Sequence, residues 1–379
     1  MRRLLPLLCG LLLAACGQRA ARPIGDFTLP VYTPRYASGF EITGAAGSRS
    51  TLVTVHNPWY GDEVTDQYLF IARDGEPAPA GFEGQVLRDE ARRVVCMSGS
   101  YIAMLDALGA ADRVVGVSGA QYLINETLRR RIARGEAADV GFDSNVDFER
   151  LMALRPDLVM LFGIGGADTA LTGKLRELGI PYLYMGEHCE ESPLGKSEWV
   201  VVAAEIAGLR TEGSRLFAAI PERYERLRAL AQQTAARPRV MLNTPYRDTW
   251  FMPTRNSYMV RLLEDAGARY VFEENTATQT LPIDIEQAYY LTSKSDFWLN
   301  VSGCNTLDEV RRQNPRLADT PPVREGRVYD NNRRRNAAGG SDFWESGVLR
   351  PDRVLADLVH IFHPELSETD ELYYYRQLE

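Results

Sequence analysis

The chain has 379 residues, 45% of them apolar and 25% charged, which is enough for two domains of ordinary size around a large core and excludes a disordered or low-complexity chain. Its net charge of −8 argues against a nucleic-acid-binding or polybasic membrane surface, since neither phosphate neutralisation nor attraction to anionic lipid suits an acidic protein. Five cysteines are too few for a disulfide-stapled scaffold, so the apolar core must supply the stability.

Arg2 and Arg3 precede a short apolar run, Leu4 to Leu12, interrupted by Pro6 and Gly10 and too short to span a bilayer. The run closes on Leu13-Ala14-Ala15-Cys16, small residues before a cysteine. This resembles the lipobox of bacterial lipoproteins, in which the cysteine becomes the acylated first residue. The resemblance implies a body tethered through Cys16 to a membrane, in the periplasm or cell envelope; an ordinary cleaved signal is the alternative. Cys9 then leaves with the signal, and Cys96, Cys189 and Cys304 remain, an odd number that leaves at least one unpaired.

From residue 17 to 92 the chain alternates apolar and polar residues in short runs, Phe40-Glu41-Ile42-Thr43, Leu52-Val53-Thr54-Val55 and Tyr68-Leu69-Phe70-Ile71, separated by turn formers. A β-rich appendage is expected there. At Arg93 the texture changes to apolar runs followed by helical patterns: Val94-Val95-Cys96-Met97, Val114-Val115-Gly116-Val117, Leu158 to Phe162 and Tyr182-Leu183-Tyr184. Apolar strands alternating with helices imply a parallel sheet covered on both faces. The unit occurs twice. Val94-Val95, Ser100-Tyr101-Ile102 and Leu108-Gly109-Ala110 are echoed by Val240-Met241, Ser257-Tyr258-Met259 and Ala266-Gly267-Ala268, and Asp147-Phe148-Glu149 by Asp284-Ile285-Glu286. Between the copies, Leu216, Ile220, Tyr224, Leu227 and Ala231 fall three and four apart on one helical stripe, a rod of roughly 36 Å that would make a stiff hinge, with Pro221 marking a kink or its first turn. The expected organisation is α/β: a signal (1–16), the β-rich appendage (17–92), and two Rossmann-like lobes with central parallel sheets (93–195 and 237–379) joined by one long helix (196–236).

Asp147-Phe148-Glu149-Arg150-Leu151 with Ala153-Leu154-Arg155-Pro156-Asp157-Leu158-Val159 is similar to the most recurrent signature of the substrate-binding proteins of ABC importers, in the class that handles iron-siderophore, haem and cobalamin. Ser192 to Trp199 and Gly339 to Gly347 resemble a subgroup that transports iron complexes. The resemblance covers roughly Arg92 to Leu366 and leaves the appendage outside the family core. It implies a receptor with no catalytic residues and no cofactor, a monomer, whose ligand is a ferric chelate and whose partners are a permease and its ATPase.

Ligands of open α/β sheets sit beyond the carboxyl ends of the strands. The loops there supply Ser98, Ser100, Tyr101, Phe142, Asp143 and Gly165 from the first lobe, and Tyr246, Trp250, Asn256, Tyr258, Asn305 and Asn331 from the second. Aromatic faces suit the organic frame of a chelate, and Arg333, Arg334 and Arg335 suit its anionic oxygens. For each aromatic, core packing is the competing role, and for the arginines a solvated loop. Family members dock on the permease through an acid on each lobe, which Asp168 and either Asp308 or Glu309 resemble; helix dipoles alone also favour acids at those places.

Other chemistries have less support. Glu187-His188-Cys189-Glu190-Glu191 contains metal-ligand types, but adjacent residues rarely converge on one ion. His360 and His363 make half a metal site at most. Gly163-Ile164-Gly165-Gly166 lacks the spacing and acidic partner of a dinucleotide loop, and the chain contains neither a Gly-x-Ser-x-Gly elbow nor a Walker loop. The expectation is a receptor for a siderophore-type chelate. A cobalamin or haem receptor of the same fold, haem being ligated by Tyr246 or Tyr258, is the first alternative, and a lipoprotein enzyme the second.

Overall fold

The computed structural model describes residues 21–59, 65–163, 169–246, 249–277, 279–367 and 371–379. Cys16, Gly165 and Asp168 lie outside them.

The alternating runs near the N-terminus form strands because period-two patterning gives each a face to bury. Strands β1 (Leu29–Tyr32), β2 (Phe40–Gly44), β3 (Thr51–His56), β4 (Asp66–Ala72) and β5 (Gln85–Arg88) make one sheet in that order, antiparallel except for the β4–β5 pair. Phe40, Ile42, Val53, Val55, Leu69 and Ile71 join the main core of the molecule, while Leu52 and Phe70 pack with Phe27 in a small cluster on the other face.

The first lobe has β6 (Val94–Cys96), β7 (Val114–Val117), β8 (Ala138–Asp139), β9 (Leu158–Phe162) and β10 (Tyr182–Met185), all parallel, in the order β10-β9-β6-β7-β8. Helices α1 (Gly99–Ala107), α2 (Glu126–Ala133), α3 (Phe148–Leu154) and α4 (Ala170–Leu178) cross between them. In the second lobe β11 (Arg239–Leu242), β13 (Arg269–Tyr270), β15 (Phe297–Leu299), β16 (Val328–Asp330) and β17 (Arg376–Gln377) are ordered β13-β11-β15-β16-β17, and β12 (Trp250–Met252) pairs with β14 (Leu281–Ile283) to one side. Read from the outer edge, β16-β15-β11-β13 repeats β10-β9-β6-β7; the copies differ in their last strand, parallel β8 in one and antiparallel β17 in the other. The repeated Asp-x-Glu string is a repeated helix start: Asp147 accepts from the Arg150 N–H at α3, and Asp284 from the Gln287 N–H at α9 (Ile285–Ser293).

The linking region is three helices rather than one. α5 (Pro193–Glu198) and α6 (Val200–Ile206) lead into α7 (Arg210–Ala231), whose 22 residues span about 33 Å. Its buried stripe runs through Phe217, Ile220, Tyr224, Leu227 and Ala231; Leu216 is only half-buried, and Pro221 lies inside the helix, not at its first turn. The second lobe is completed by α8 (Tyr258–Asp265), α10 (Leu307–Gln313), α11 (Pro321–Arg324), α12 (Ser346–Leu349) and α13 (Pro351–Phe362), which packs on α7.

Three buried carboxylates fasten the N-terminal sheet to this linking region. Glu198 accepts from the Tyr32 hydroxyl and the N–H groups of Arg35, Tyr36 and Ala37 at 2.7 to 2.9 Å. Glu190 accepts from the Ser38 and Gly39 N–H groups and from Trp199 Nε1. Glu205 is bonded by Thr51, Arg73 and Arg210. A buried carboxylate is tolerated only when its lone pairs are filled, and these are filled mostly from the N-terminal segment, with Trp199 and Arg210 of the linking region adding to them.

Candidate functional site

The loops that leave the carboxyl ends of β7 and β16 meet across the two lobes. Asn336 Nδ2 donates to the carbonyls of Gln121 and Leu123 at 2.9 and 3.1 Å, and Glu345 accepts from the N–H groups of Ile124 and Asn125 at 2.9 and 2.7 Å. Gly340 lies so close to the Tyr122 carbonyl that any side chain would collide with it. Burial pushes the Glu345 carboxyl up to about 7; the two backbone donors oppose that rise, and Asp342 and Asp106 add to it. The carboxyl ends of both sheets therefore face a shared rim.

That rim carries exposed aromatic rings. Phe142 and Tyr122, 6.3 Å apart, stand on the first lobe; Trp344 stands on the joining loop, and Tyr246, 67% exposed, with Phe251 on the second lobe. Phe142 and Tyr246 were expected from the sequence. Tyr122, Phe251 and Trp344 were not, although each lies in or beside a segment following a strand of the repeat. Among the arginines, Arg333 pairs with Glu371 at 3.2 Å and Arg334 with Asp342 at 2.6 Å above the Tyr373 ring. Arg335 is exposed and has no ion pair among the described residues.

Other expected site residues have structural duties. Tyr101 is fully buried with its hydroxyl donating to the Leu161 carbonyl, and Trp250, 1% exposed, donates to the Leu242 carbonyl and stacks on Trp298. Both are core residues, because large aromatics next to an apolar strand find more area inside than at a rim. Tyr258 lies under the Lys196 ammonium, 4.5 Å from its ring centre, in an apolar crevice with Phe343. Asn256 lines a separate polar cavity of about 290 Å³ between α5, α7 and α8. Asn331 is buried and its carbonyl accepts from Ser341; Asn305 and Asp143 are exposed, Asn305 accepting from Arg376. On α10, Asp308 pairs with Arg311 and Glu309 accepts from the Asn305 N–H.

Beneath the rim, at the end of β10, is a polar group that the sequence presented as a metal-ligand string. Ser98 bonds to Ser100, and Ser100 donates to Glu187 at 2.9 Å. His188 Nε2 donates to the Gly163 carbonyl at 2.7 Å, and its ring lies 4.3 Å from that of Phe162. Burial works against a charged His188, yet Cys189 and Glu187 outweigh it and lift the ring to about 9. Lys196 donates to the Glu187 carbonyl at 3.0 Å, and burial lowers its ammonium. Among the described residues no group of three or more His, Cys, Asp or Glu could hold a metal ion. His360 bonds to Ser367, and His363 is buried beside Gly267.

A family model described as periplasmic binding protein matches residues 94–333, from the first strand of one lobe to the joining loop of the other. The chain belongs to this family. As a periplasmic binding protein it is 25% identical over 332 residues to an uncharacterized lipoprotein of Methanocaldococcus jannaschii, covering 82% of this chain and 77% of that one. Such a span does not fit within residues 94–379, so the likeness extends into the N-terminal sheet. Among solved structures, a periplasmic haem-binding protein from Pseudomonas aeruginosa superposes with a TM-score of 0.58 at 19% identity, over 76% of this chain and 98% of that one. An ABC-type Fe3+-hydroxamate transport protein from Saccharomonospora viridis gives 0.53 at 17% identity, over 72% and 94%. These periplasmic binding proteins share its fold of two α/β lobes.

Proposed function

We propose that this periplasmic binding protein is the lipid-anchored, extracytoplasmic receptor of an ABC importer, and that it captures a siderophore-type ferric chelate between its lobes and passes it to a permease and ATPase without catalysis. The observation that carries this is the rim: exposed aromatic rings on both lobes, and on the loop beyond β16 the exposed guanidinium of Arg335, which makes no ion pair among the described residues. Flat apolar faces with few charged groups suit a bulky organic frame around an anionic metal centre. The M. jannaschii relative is named a lipoprotein, which supports anchoring through Cys16, and no described helix is long and apolar enough to cross a membrane. Exposed Asp308 is the second-lobe candidate for permease docking, with Asp168 for the first.

Binding of ferrioxamine B, ferrichrome, cyanocobalamin and haemin, followed by tryptophan quenching and native mass, tests the proposal. Micromolar or tighter binding of a ferric siderophore supports it; binding of none overturns it. Tyr246 favours a second ligand, haem, because its exposed phenol on the rim is of the type that ligates haem iron. Tight haemin binding that Tyr246→Phe abolishes would replace the chelate assignment.

A further inference from the structure

The N-terminal sheet lies outside residues 94–333 that match the family, yet it reaches the ligand side of the first lobe. After β3 the chain turns through Asn57, Pro58 and Trp59. The Pro58 carbonyl lies 2.8 Å from where a Cβ on Gly163 would stand, and its Cα 3.4 Å from a Cβ on Gly186. Gly163 and Gly186 directly follow β9 and β10, which are paired through Phe162 and Met185. The absence of side chains at both strand ends admits the turn. Trp59 packs edge-on against Tyr184 at 5.7 Å, and Gln67 accepts the Tyr184 N–H at the outer edge of the lobe sheet. The sheet is thus built into the end of the lobe where ligand is expected.

A dehydrated acceptor and a buried ion pair occur at this junction. Asn57 is held at φ 44°, in the left-handed region, and its Oδ1 is buried with no hydrogen-bond partner among the described residues. Glu187, next to Gly186, is 2% exposed; one oxygen is taken by Ser100, and Oε2 faces the His188 ring, whose Nδ1 is 4.0 Å away. A left-handed backbone together with an unfilled buried acceptor at Asn57 marks a place kept for a ligand rather than for stability.

We infer that the turn after β3 is a wall of the ligand cleft, and that Asn57 selects ligands presenting N–H or O–H donors at their edge: amide, hydroxyl or ammonium groups. This rests on the receptor function proposed above. Asn57→Gly suits the left-handed backbone and removes only the amide, so its thermal midpoint should equal or exceed that of the parent. Ferrioxamine B, ferrichrome and cyanocobalamin carry edge amide, hydroxyl or ammonium donors, whereas the edge of haemin is carboxylate. The variant should bind the donor-bearing ligands roughly five- to tenfold more weakly and haemin unchanged. In the parent, bound ligand should slow amide exchange at His56, Asn57 and Trp59. Equal affinities in variant and parent, with unchanged exchange, overturn the inference while leaving the receptor intact. A parent that binds haemin alone also overturns it, and a parent that binds none of the four removes the receptor function itself.

Discussion

The carboxyl ends of the two lobe sheets share a strand order but not a construction. On the first lobe the strand ends are braced: Pro58 lies against Gly163 and Gly186, and three buried glutamates secure the sheet that carries it. On the second lobe β15, the counterpart of β9, ends in a left-handed asparagine, Asn300 at φ 61°, as does β11 in Asn243 at φ 68°, and the loop beyond β11 presents Tyr246 to solvent. Duplicated topology therefore fixes where a site is built but not how stiff each side is. A braced wall holds its shape against a guest, whereas an open rim contributes side chains able to adjust to one.

The largest effect should come from unfastening the brace. Glu198→Ala orphans four donors of the N-terminal sheet, at about 1–3 kcal/mol for each one left buried, so urea denaturation should show at least about 3 kcal/mol lost, with early proteolysis before residue 90. A parent-like midpoint would mean that the sheet is not held this way. Next is pH. Burial raises Asp330 to about 6 and Glu345 to about 7, so the folded chain holds these protons more tightly than the unfolded one, and their contribution is present at low pH and lost as pH rises through 6 to 7. His188, lifted to about 9, acts in the same direction, being lost as pH rises towards 9. Unfolding free energy should fall by about 3–6 kcal/mol between pH 5 and 8, and Asp330→Asn with Glu345→Gln should remove about two-thirds of that slope. Gly163→Ala pushes a methyl towards the Pro58 carbonyl and should cost about 1–3 kcal/mol, read as a lower thermal midpoint. The smallest change in stability belongs to Arg335→Ala on the open rim, within about 0.5 kcal/mol; its effect should appear in weaker, less salt-sensitive chelate binding.

Much of the architecture was legible because patterning is a local property. The apolar runs at 94–97, 114–117, 158–162 and 182–184 became β6, β7, β9 and β10, and the alternating runs near the N-terminus became β2, β3 and β4. The site was less legible. Tyr101 has the same chemistry as Tyr246 and differs only in burial, which residue type does not determine, and Trp250, likewise a large aromatic beside a strand, is buried too. Glu187 was visible only as part of a metal-like string and Glu198 only within the Ser192 to Trp199 string, and Glu205 belonged to no motif. Yet isolated acids beside the otherwise apolar stretch Trp199 to Ile206 are a signal of buried, partnered carboxylates. The reach of Pro58 to Gly163 and Gly186 depends on how two sheets are set against each other, and no single segment encodes it.

The glutamate fasteners also order events in time. They join positions 132 to 166 residues apart, so strands that leave the ribosome first acquire their final partners only after the first lobe has been made. Closing loops of that length is slow, and it keeps the leading end of a newborn chain loose enough to be threaded before it locks.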